Sequence, residues 1–340
     1  KLTGGVSNYY RVAHKYLSGF NKYVQINSPL KKGFFKPLLN GIFLFTGLLR
    51  ILFLWPKNVV VNPSLSVNAL LRDGLIVCWS LLFRRKVFIF WRGWNPQKEY
   101  LFQKKFMVFL FKISFIKVHC HLTLNSHVKG FLSQNGVLPE KIKSTSTIVD
   151  DSFFDSFGDT HGQKFVILFL GRVEKYKGIY ESIEILKMLD HYADVELQVA
   201  GNGTELKNVK KLISDEGIEN IRFLDFLSGN DKLRAYQRSH CYLFPSYSEG
   251  MPNSVLEAMA CGLPVICTRV GALEDFFIDK KMGFSFKLPI DIKAFTSAIK
   301  VIMSDSGLRK NIGEFNKKYA KENFKASLVI SHLDRLINKE

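Results

Sequence analysis

The sequence has few of the features that mark membrane-spanning or disulfide-stabilised proteins. None of its 340 residues lies in a run of the ~18 to 20 uninterrupted apolar side chains that a spanning helix needs, since the best candidate, residues 38–55, contains Asn40, Thr46 and Arg50. The five cysteines are odd in number and scattered, which indicates reduced, mostly buried thiols of a cytosolic protein. The 24 glycines and 10 prolines follow no period, which excludes collagen-like and low-complexity classes. A hydrophobic content of 47% instead predicts an ordinary folded core.

Acidic residues are scarce in the first half of the chain. Residues 1–150 contain 22 Lys and Arg but only Asp73, Glu99, Glu140 and Asp150, whereas the remainder contains 26 basic and 26 acidic residues. The net charge of +18 is therefore confined to the first half. This boundary predicts two domains with different functions, of which the first binds something anionic: nucleic acid, a phospholipid surface or a phosphorylated substrate.

Apolar segments of strand length alternate with segments of helix length along the chain, which predicts parallel β/α/β units. An interruption at 150–163, rich in Asp, Ser and Gly, predicts a domain linker. The expected fold is α/β, with two Rossmann-like doubly wound domains that face each other across a cleft. The expected strands are 23–26, 59–62, 87–91 and 118–124 before the linker, and 165–170, 196–200, 221–224, 241–245 and 265–268 after it.

The alternation also predicts the domain limits. Residues 1–155 form the N-terminal domain, which opens on a Gly loop and a helix, so its first strand is expected to lie upstream of the sequence given. Residues 156–318 form the C-terminal domain. Residues 319–340 are expected to be helical and to pack back on the N-terminal domain.

Two segments of the second domain have the residue types of a ligand site. Gly171, Arg172, Lys177 and Gly178 lie between a strand and a helix, where backbone N–H groups, a helix N-terminus and fixed cations suit a diphosphate. An ordinary solvated loop is the alternative for this segment alone. The strand 241–245 leads into a second segment, in which Glu249 precedes a helix that contains Glu257. Such carboxylates suit sugar hydroxyls, although Glu257 could simply stabilise the helix dipole.

The segments GRVEKYKG and EGMPNSVLEAMACGLPVI, in this order and ~70 residues apart, together with Gly4-Gly5, resemble glycosyltransferase family 4. Members of this family are retaining sugar-nucleotide transferases with the GT-B fold, and the resemblance covers nearly the whole chain. It implies an acceptor-binding N-terminal domain and a C-terminal domain that binds the nucleotide sugar, a UDP-sugar in preference to a GDP-sugar. The implied acceptor is a lipid-linked glycan in cell-surface polysaccharide, O-antigen or glycolipid synthesis.

The resemblance also implies roles for individual residues. Arg172 and Lys177 would hold the donor diphosphate and stabilise its developing charge, Glu249 would contact the donor sugar, and Glu257 would bind the ribose. Gly4 and Gly5 would let the N-terminal loop approach the phosphate. Further donor contacts would come from Gly171, Gly250, Met251, Pro252, Asn253 and Ser254.

The sequence departs from the family at Arg92-Gly93, where the family often has His-Gly near the donor sugar. An arginine cannot act as a general base, so Arg92 would either recognise an anionic group or pair with an acid. The family's presumed chemistry needs no base, because the departing diphosphate oxygen takes the acceptor proton. No metal is expected on this logic, and His119-Cys120-His121, the one metal-like cluster, has no evident third ligand.

Two aromatic, basic segments, 31–57 and 104–117, carry more apolar surface than a helix packed on a sheet needs. They pack on the sheet, dock on an anionic bilayer, or do both. The function expected first is therefore a retaining, metal-independent glycosyltransferase at the cytoplasmic face of a membrane. The alternatives are a GT-B-fold phosphorylase or sugar-nucleotide epimerase on soluble ligands, and a non-enzymatic module that binds membranes or nucleic acid. No nucleic-acid partner is expected, because no motif for one is present.

Overall fold

The computed structural model describes residues 5–17, 36–155, 164–189 and 194–339. The chain forms two compact units: an N-terminal unit that extends to Ser146 and includes the residues from Ile330 onward, and a C-terminal unit, Thr147–Val329. The division lies before residue 155, the predicted end of the N-terminal domain, because Phe153 and Phe154 pack in the core of the C-terminal unit. Part of the predicted linker is thus core, and 156–163 lie outside the described residues.

Parallel strands form the sheet described in the N-terminal unit, in the order β1-β2-β3-β4. The predicted strands at 59–62, 87–91 and 118–124 are confirmed to within a few residues, β4 was not predicted, and 23–26 lie outside the described residues. The strands are β1 Asn58–Val61, β2 Lys86–Trp91, β3 Cys120–Thr123 and β4 Ile142–Ser144. The helices are α1 Gly5–Ala13, α2 Lys36–Phe53, α3 Val67–Leu82, α4 Lys105–Ile113 and α5 Ser126–Gln134.

The C-terminal unit contains a six-stranded parallel sheet in the order β10-β9-β8-β5-β6-β7. All five strands predicted for it are confirmed, and β10 is the additional one. The strands are β5 Phe165–Leu170, β6 Val195–Ala200, β7 Ile221–Phe223, β8 Cys241–Phe244, β9 Val265–Thr268 and β10 Gly283–Phe286. The helices are α6 Ile179–Lys187, α7 Leu206–Asp215, α8 Gly229–Gln237, α9 Asn253–Ala260, α10 Leu273–Phe276, α11 Ile292–Ser304, α12 Ser306–Phe324 and α13 Ala326–Lys339.

This strand order determines where the C-terminal unit can bind a ligand. From β5 the chain winds outward through β6 and β7, then returns to the other side of β5 as β8 and winds outward again through β9 and β10. The order reverses between β5 and β8, and the carboxyl ends of strands at such a switch point form the usual ligand crevice of a doubly wound sheet. The loops that follow β5 and β8 are the two segments singled out in the sequence.

Helix α13 belongs to both units, since the division falls after Val329. In the N-terminal unit its end is tied to β1, because the side-chain amide of Asn58 donates to Ile337 O at 2.9 Å. The structure therefore places 330–339 with the N-terminal unit and 319–329 with the C-terminal unit.

Helix α2 ends at Phe53 and shows the expected excess of apolar surface. It packs on the core of the N-terminal unit through Leu44, Leu48 and Ile51. Four large apolar side chains remain exposed on another face of this helix. They are Leu38 and the residues about one, two and four turns after it, Ile42, Phe45 and Phe53. In α4, Phe106 and Phe109 are exposed, while Met107, Leu110 and Phe111 are buried. No helix among the described residues is both long enough and apolar enough to cross a membrane.

Candidate functional site

The loops after β5 and β8 are in direct backbone contact. Tyr247 N donates to Tyr176 O at 3.0 Å, which joins one loop to the other. Gly178, at the start of α6, has a φ of +77° and lies so close to Pro245 that a Cβ on it would be 1.9 Å from Pro245 O. Only glycine fits this position, for reasons of both conformation and space. The close approach fixes Lys177 against the loop that carries Glu249.

Lys177 and Glu249 form an ion pair in which the lysine Nζ contacts the carboxylate Oε1. Both side chains are largely withdrawn from solvent, at 14% and 15% exposed. The Ser246 hydroxyl also donates to Glu249 Oε1, at 3.1 Å. Ser246 is itself held in place, because its carbonyl accepts a hydrogen bond from the buried Thr268 hydroxyl. The structure thus brings together two of the predicted residues and adds Ser246, which the sequence reasoning missed.

Arg172 lies in the same loop but is more exposed than Lys177. Its guanidinium lies 5.2 Å from the centroid of the Tyr176 ring, and the ammonium of Lys177 lies at the same distance from that ring. One tyrosine therefore positions both predicted cations by cation–π contact. Gly171 begins this loop, and Gly201 after β6 packs closely against it: a Cβ on Gly201 would be 1.8 Å from Gly171 O, whereas a Cβ on Gly171 would have nothing within 4 Å.

The turn after β9 contacts the backbone of the loop that carries Glu249. Ala272 N donates to Gly250 O at 2.8 Å. Gly271 has a φ of +60°, and a Cβ on it would lie 2.3 Å from Glu249 O and 2.4 Å from Gly250 O. The backbone at Glu249 and Gly250 is therefore rigidly placed, which suits a group that must present its carboxylate in one direction.

Glu257 lies on the second turn of α9, as predicted, but is only 5% exposed. Lys232 Nζ contacts both of its carboxylate oxygens, at 2.6 and 2.5 Å, and the Tyr236 hydroxyl donates to Oε2 at 3.0 Å. Lys232 and Tyr236 are one turn apart on α8, and neither was predicted. Burial, together with the Glu257 charge, raises the pKa of Tyr236 well above its usual value, so its hydroxyl stays a donor.

Tyr242 on β8 connects the surroundings of the two carboxylates. Its hydroxyl donates to Leu170 O, at the carboxyl end of β5, at 2.8 Å. Burial is the main cause of a strongly raised pKa of Tyr242, and the charges of Glu257 and Glu249 raise it further. Both carboxylates therefore act on one buried hydroxyl at the switch point.

The residues between Glu249 and Glu257 that were predicted as donor contacts make hydrogen bonds within the C-terminal unit. Asn253 Oδ1 accepts from the Thr147 hydroxyl at 2.7 Å, and Met251 Sδ accepts from Thr147 N at 3.4 Å. Pro252 is the residue before the first turn of α9, and no side chain caps that helix. Ser254 O accepts from the Tyr236 hydroxyl at 3.0 Å. In this structure these residues hold the first segment of the C-terminal unit and the Glu257 environment in place.

The predicted residues of the N-terminal unit are described only in part. Gly4 lies outside the described residues, and Gly5 is the first residue of α1. Arg92 follows β2, and its guanidinium lies 3.6 Å above the centroid of the Tyr9 ring and 4.9 Å from that of Phe90. The cation of Arg92 is thus packed between α1 and β2. Burial lowers the pKa of Arg92, while the nearby tyrosines Tyr9 and Tyr10 act in the opposite direction.

His121 is a core residue. Its Nδ1 accepts from Trp91 Nε1 at 3.0 Å, and its Nε2 lies 3.1 Å from Phe115 O. Both ring nitrogens are thereby occupied, and burial lowers its pKa to about 4. The described residues include no group of three or more His, Cys, Asp or Glu side chains arranged to hold a metal ion.

Most of the C-terminal unit matches a model of a known protein family. Residues 152–319 match the family model "Glycosyl transferases group 1". The capsular polysaccharide biosynthesis glycosyltransferase CapM of Staphylococcus aureus is 27% identical over 221 residues, which is 62% of this chain and 54% of CapM. Sulfoquinovosyl transferase SQD2 of Arabidopsis thaliana is 29% identical over 156 residues, 45% of this chain and 29% of SQD2. The chain thus spans about half the length, or less, of these curated relatives.

Solved structures share the fold over nearly the whole chain. Anabaena HepE in complex with UDP and glucose superposes with a TM-score of 0.72 at 17% identity, covering 92% of this chain and 85% of HepE. Sucrose-phosphate synthase from Thermosynechococcus elongatus superposes with a TM-score of 0.75 at 16% identity, covering 93% and 82%. With the two parallel-sheet units, these likenesses show that the chain has the fold of the GT-B glycosyltransferases, and residues 152–319 match glycosyl transferases group 1.

Proposed function

We propose that this protein is a retaining, metal-independent glycosyltransferase that transfers a hexose-type sugar from a nucleoside diphosphate sugar to a glycan acceptor. The observation that carries the proposal is the grouping of Arg172, Lys177 and Glu249 at the switch point of a Rossmann-like sheet. Two cations beside one carboxylate match a donor with two phosphates and one sugar. UDP is the favoured nucleotide, since HepE was crystallised with UDP and glucose.

The ion pair suggests how the donor is bound. In the free protein Glu249 neutralises Lys177. When the donor enters, its diphosphate takes the Lys177 ammonium and the Arg172 guanidinium, and Glu249 becomes available to accept hydrogen bonds from the sugar hydroxyls. One partly buried pair is thus exchanged for two ligand contacts: Lys177 gains an anionic partner, and Glu249 gains hydrogen-bond donors.

The chemistry then needs no protein base. The bond between the anomeric carbon and the diphosphate oxygen breaks, and the acceptor oxygen forms its bond on the same face of the sugar. The departing phosphate oxygen takes the acceptor proton. The contribution of the protein is to stabilise the negative charge that develops on the diphosphate, which is the function we assign to Arg172 and Lys177.

The acceptor is proposed to be lipid-linked and used in the synthesis of a cell-surface polysaccharide, O-antigen or glycolipid. CapM is named for capsular polysaccharide biosynthesis, which supports this class of product. The N-terminal unit adds exposed apolar faces on α2 and α4, beside exposed Arg50, Lys105 and Lys112. Apolar side chains next to basic ones are the composition of a surface that binds anionic lipid from one side of the bilayer. We propose peripheral attachment to the cytoplasmic face of the membrane.

A panel of nucleotides and nucleotide sugars tests the donor assignment. A ligand that binds the folded state raises the unfolding temperature, and at ~100 times its Kd it stabilises by about 2.7 kcal/mol. UDP and one UDP-sugar are expected to stabilise the wild-type protein, and free UDP should be released when a lipid-linked acceptor is added. If none of the nucleotides raises the unfolding temperature, the proposal is wrong. Turnover that requires inorganic phosphate instead of a glycan would favour a phosphorylase.

A further inference from the structure

A basic pocket lies at the edge of the N-terminal sheet formed by the amino ends of its strands. Its lining residues come just before or at the start of β2, β3 and β4, whereas the ends that usually carry a ligand site are the carboxyl ends. The described residues that line it include no Asp or Glu. Its basic lining side chains are Arg84, Arg85, Lys86, Lys117, His119 and Lys141.

Cations crowded in one concave place repel one another unless an anion joins them. Lys141 Nζ donates to a neutral acceptor, Val118 O, at 3.1 Å. Arg85 Nε and Nη2 are buried and have no hydrogen-bond partner among the described residues. A buried donor left unsatisfied is destabilising, and a phosphate oxygen in the pocket would accept from it.

An apolar groove between α2 and α3 lies next to this pocket. It is lined by Leu48, Leu75, Cys78, Trp79 and Leu82. Leu75 and Leu82 are exposed, and their side chains form its rim. Trp79 is held in place within this lining, because its Nε1 donates to Leu48 O at 3.1 Å.

A row of aromatic rings connects the pocket to the groove. The Arg85 guanidinium lies 3.5 Å above the centroid of the Trp55 ring. Trp55 contacts Phe83 at 6.2 Å between centroids, and Phe83 contacts Trp79 at 5.0 Å. Trp55 and Arg84 both have a positive φ, at 46° and 54°, a conformation uncommon for side chains of their size. Such strained residues concentrate at functional sites.

We infer that this pocket and groove bind one anionic glycerophospholipid, with its phosphate among the basic side chains and an acyl chain along the groove. A cationic pocket that continues into an apolar groove complements a lipid with a charged head and a hydrocarbon tail. A soluble phosphate would use the pocket alone and leave the groove exposed to water. The inference rests on the proposed attachment to a membrane for the source of the lipid, but it needs neither the donor site nor glycosyl transfer.

The first test is binding to vesicles of phosphatidylcholine with and without phosphatidylglycerol. The variant combines Arg84→Glu with Lys117→Glu, both exposed side chains, and the control combines Lys310→Glu with Lys318→Glu, an equal charge change on exposed positions of α12. Each basic residue at an anionic surface contributes ~1 kcal/mol, so removing two should weaken binding by at least about 30-fold, and the two new carboxylates repel the surface further. The control should bind as the wild type does. Equal losses in both variants, or in neither, would overturn the inference.

The second test locates the acyl chain. Phosphatidylglycerol with a spin label on its acyl chain should quench tryptophan fluorescence, and the quenching should fall in Leu75→Ser with Leu82→Ser and in Trp79→Phe. Unchanged quenching in both would place the chain elsewhere. Inorganic phosphate should not release the protein from vesicles at concentrations that leave ionic strength unchanged; complete release would show that a soluble phosphate is the ligand. Stabilisation by UDP, measured on the same variants, should be unaltered, so failure of the donor proposal and failure of this one give different results.

Discussion

Each acidic residue of the proposed donor site is neutralised by a lysine in the free protein. Glu249 pairs with Lys177 from the loop after β5, and Glu257 pairs with Lys232 from α8. A carboxylate this withdrawn from water is costly without a partner, and each lysine compensates the one that it contacts. The site is therefore electrostatically balanced before a ligand arrives, and a substitution of either partner affects stability as well as function.

The two cations of the β5 loop should differ in their effect on stability but not on catalysis. Arg172→Ala and Lys177→Ala are each expected to lower turnover ~10²–10³-fold, the usual loss for one preorganised donor to developing charge. Only Lys177→Ala should also lower the unfolding temperature, because it leaves Glu249 with Ser246 as its remaining partner. Lys175→Ala, an exposed position in the same loop, is the control and should alter neither turnover nor unfolding. Near-normal transfer in both variants would refute the diphosphate assignment.

Substitutions of the two glutamates should differ in their effect on the affinity for UDP without a sugar. Glu257→Gln should weaken UDP binding by about 1.5–3 kcal/mol, because an amide accepts through one oxygen where the carboxylate accepts through two. Glu249→Gln should leave the affinity for bare UDP nearly unchanged and reduce turnover, since its proposed partner is the sugar. Titration calorimetry with UDP measures the first effect and donor turnover the second. If both variants lost UDP affinity equally, the division of roles would be wrong.

At the scale of elements, the packing of two loops positions the site. The sequence predicted the strands β5 and β8 and both loops after them, because apolar runs and glycines are local signals. It did not predict Lys232 and Tyr236, which lie 25 and 21 residues from Glu257. Such contacts depend on how α8 packs against α9, and the spacing of residues in the sequence does not predict this packing. The hydrogen bond from Thr147 to Asn253, 106 residues away, was missed for the same reason.

Glycine at the start of α6 should be indispensable to this loop packing. Gly178→Ala places a Cβ 1.9 Å from Pro245 O at a positive φ, so the loops must separate. We expect a loss of roughly 2–4 kcal/mol in the free energy of unfolding, together with weakened UDP binding. Gly130→Ala, within α5 and with nothing within 4 Å of the new Cβ, is the matched control. It should stabilise by about 0.5–1 kcal/mol, as Ala does in a helix interior. Denaturant unfolding measures both, and equal effects of the two changes would contradict the argument.

At the scale of the whole molecule, the two units differ in charge and in exposed surface. The excess positive charge lies in residues 1–150, and the exposed apolar faces of α2 and α4 lie in the same unit. The donor-site residues Arg172, Lys177, Glu249 and Glu257 all lie in the charge-balanced C-terminal unit. The charge counts of the two halves of the sequence predicted this division. Only the structure shows which apolar side chains remain exposed after α2 and α4 have packed on the sheet.

Membrane attachment should therefore be separable from donor binding. Phe106→Ser with Phe109→Ser removes exposed apolar surface from α4 and is expected to weaken binding to anionic vesicles several-fold, because each inserted aromatic ring contributes by burial in lipid. Val301→Ser with Leu328→Ser, exposed apolar positions of the C-terminal unit, is the control and should bind vesicles as the wild type does. High salt should release the wild-type protein only in part, since salt screens the basic residues but leaves apolar insertion intact. Flotation with vesicles measures attachment, and the Kd for UDP should be the same for all three proteins. A wild-type protein that remains unbound to anionic vesicles at low salt would end the membrane proposal, and the positive charge of the N-terminal unit would then have to serve a soluble anionic acceptor.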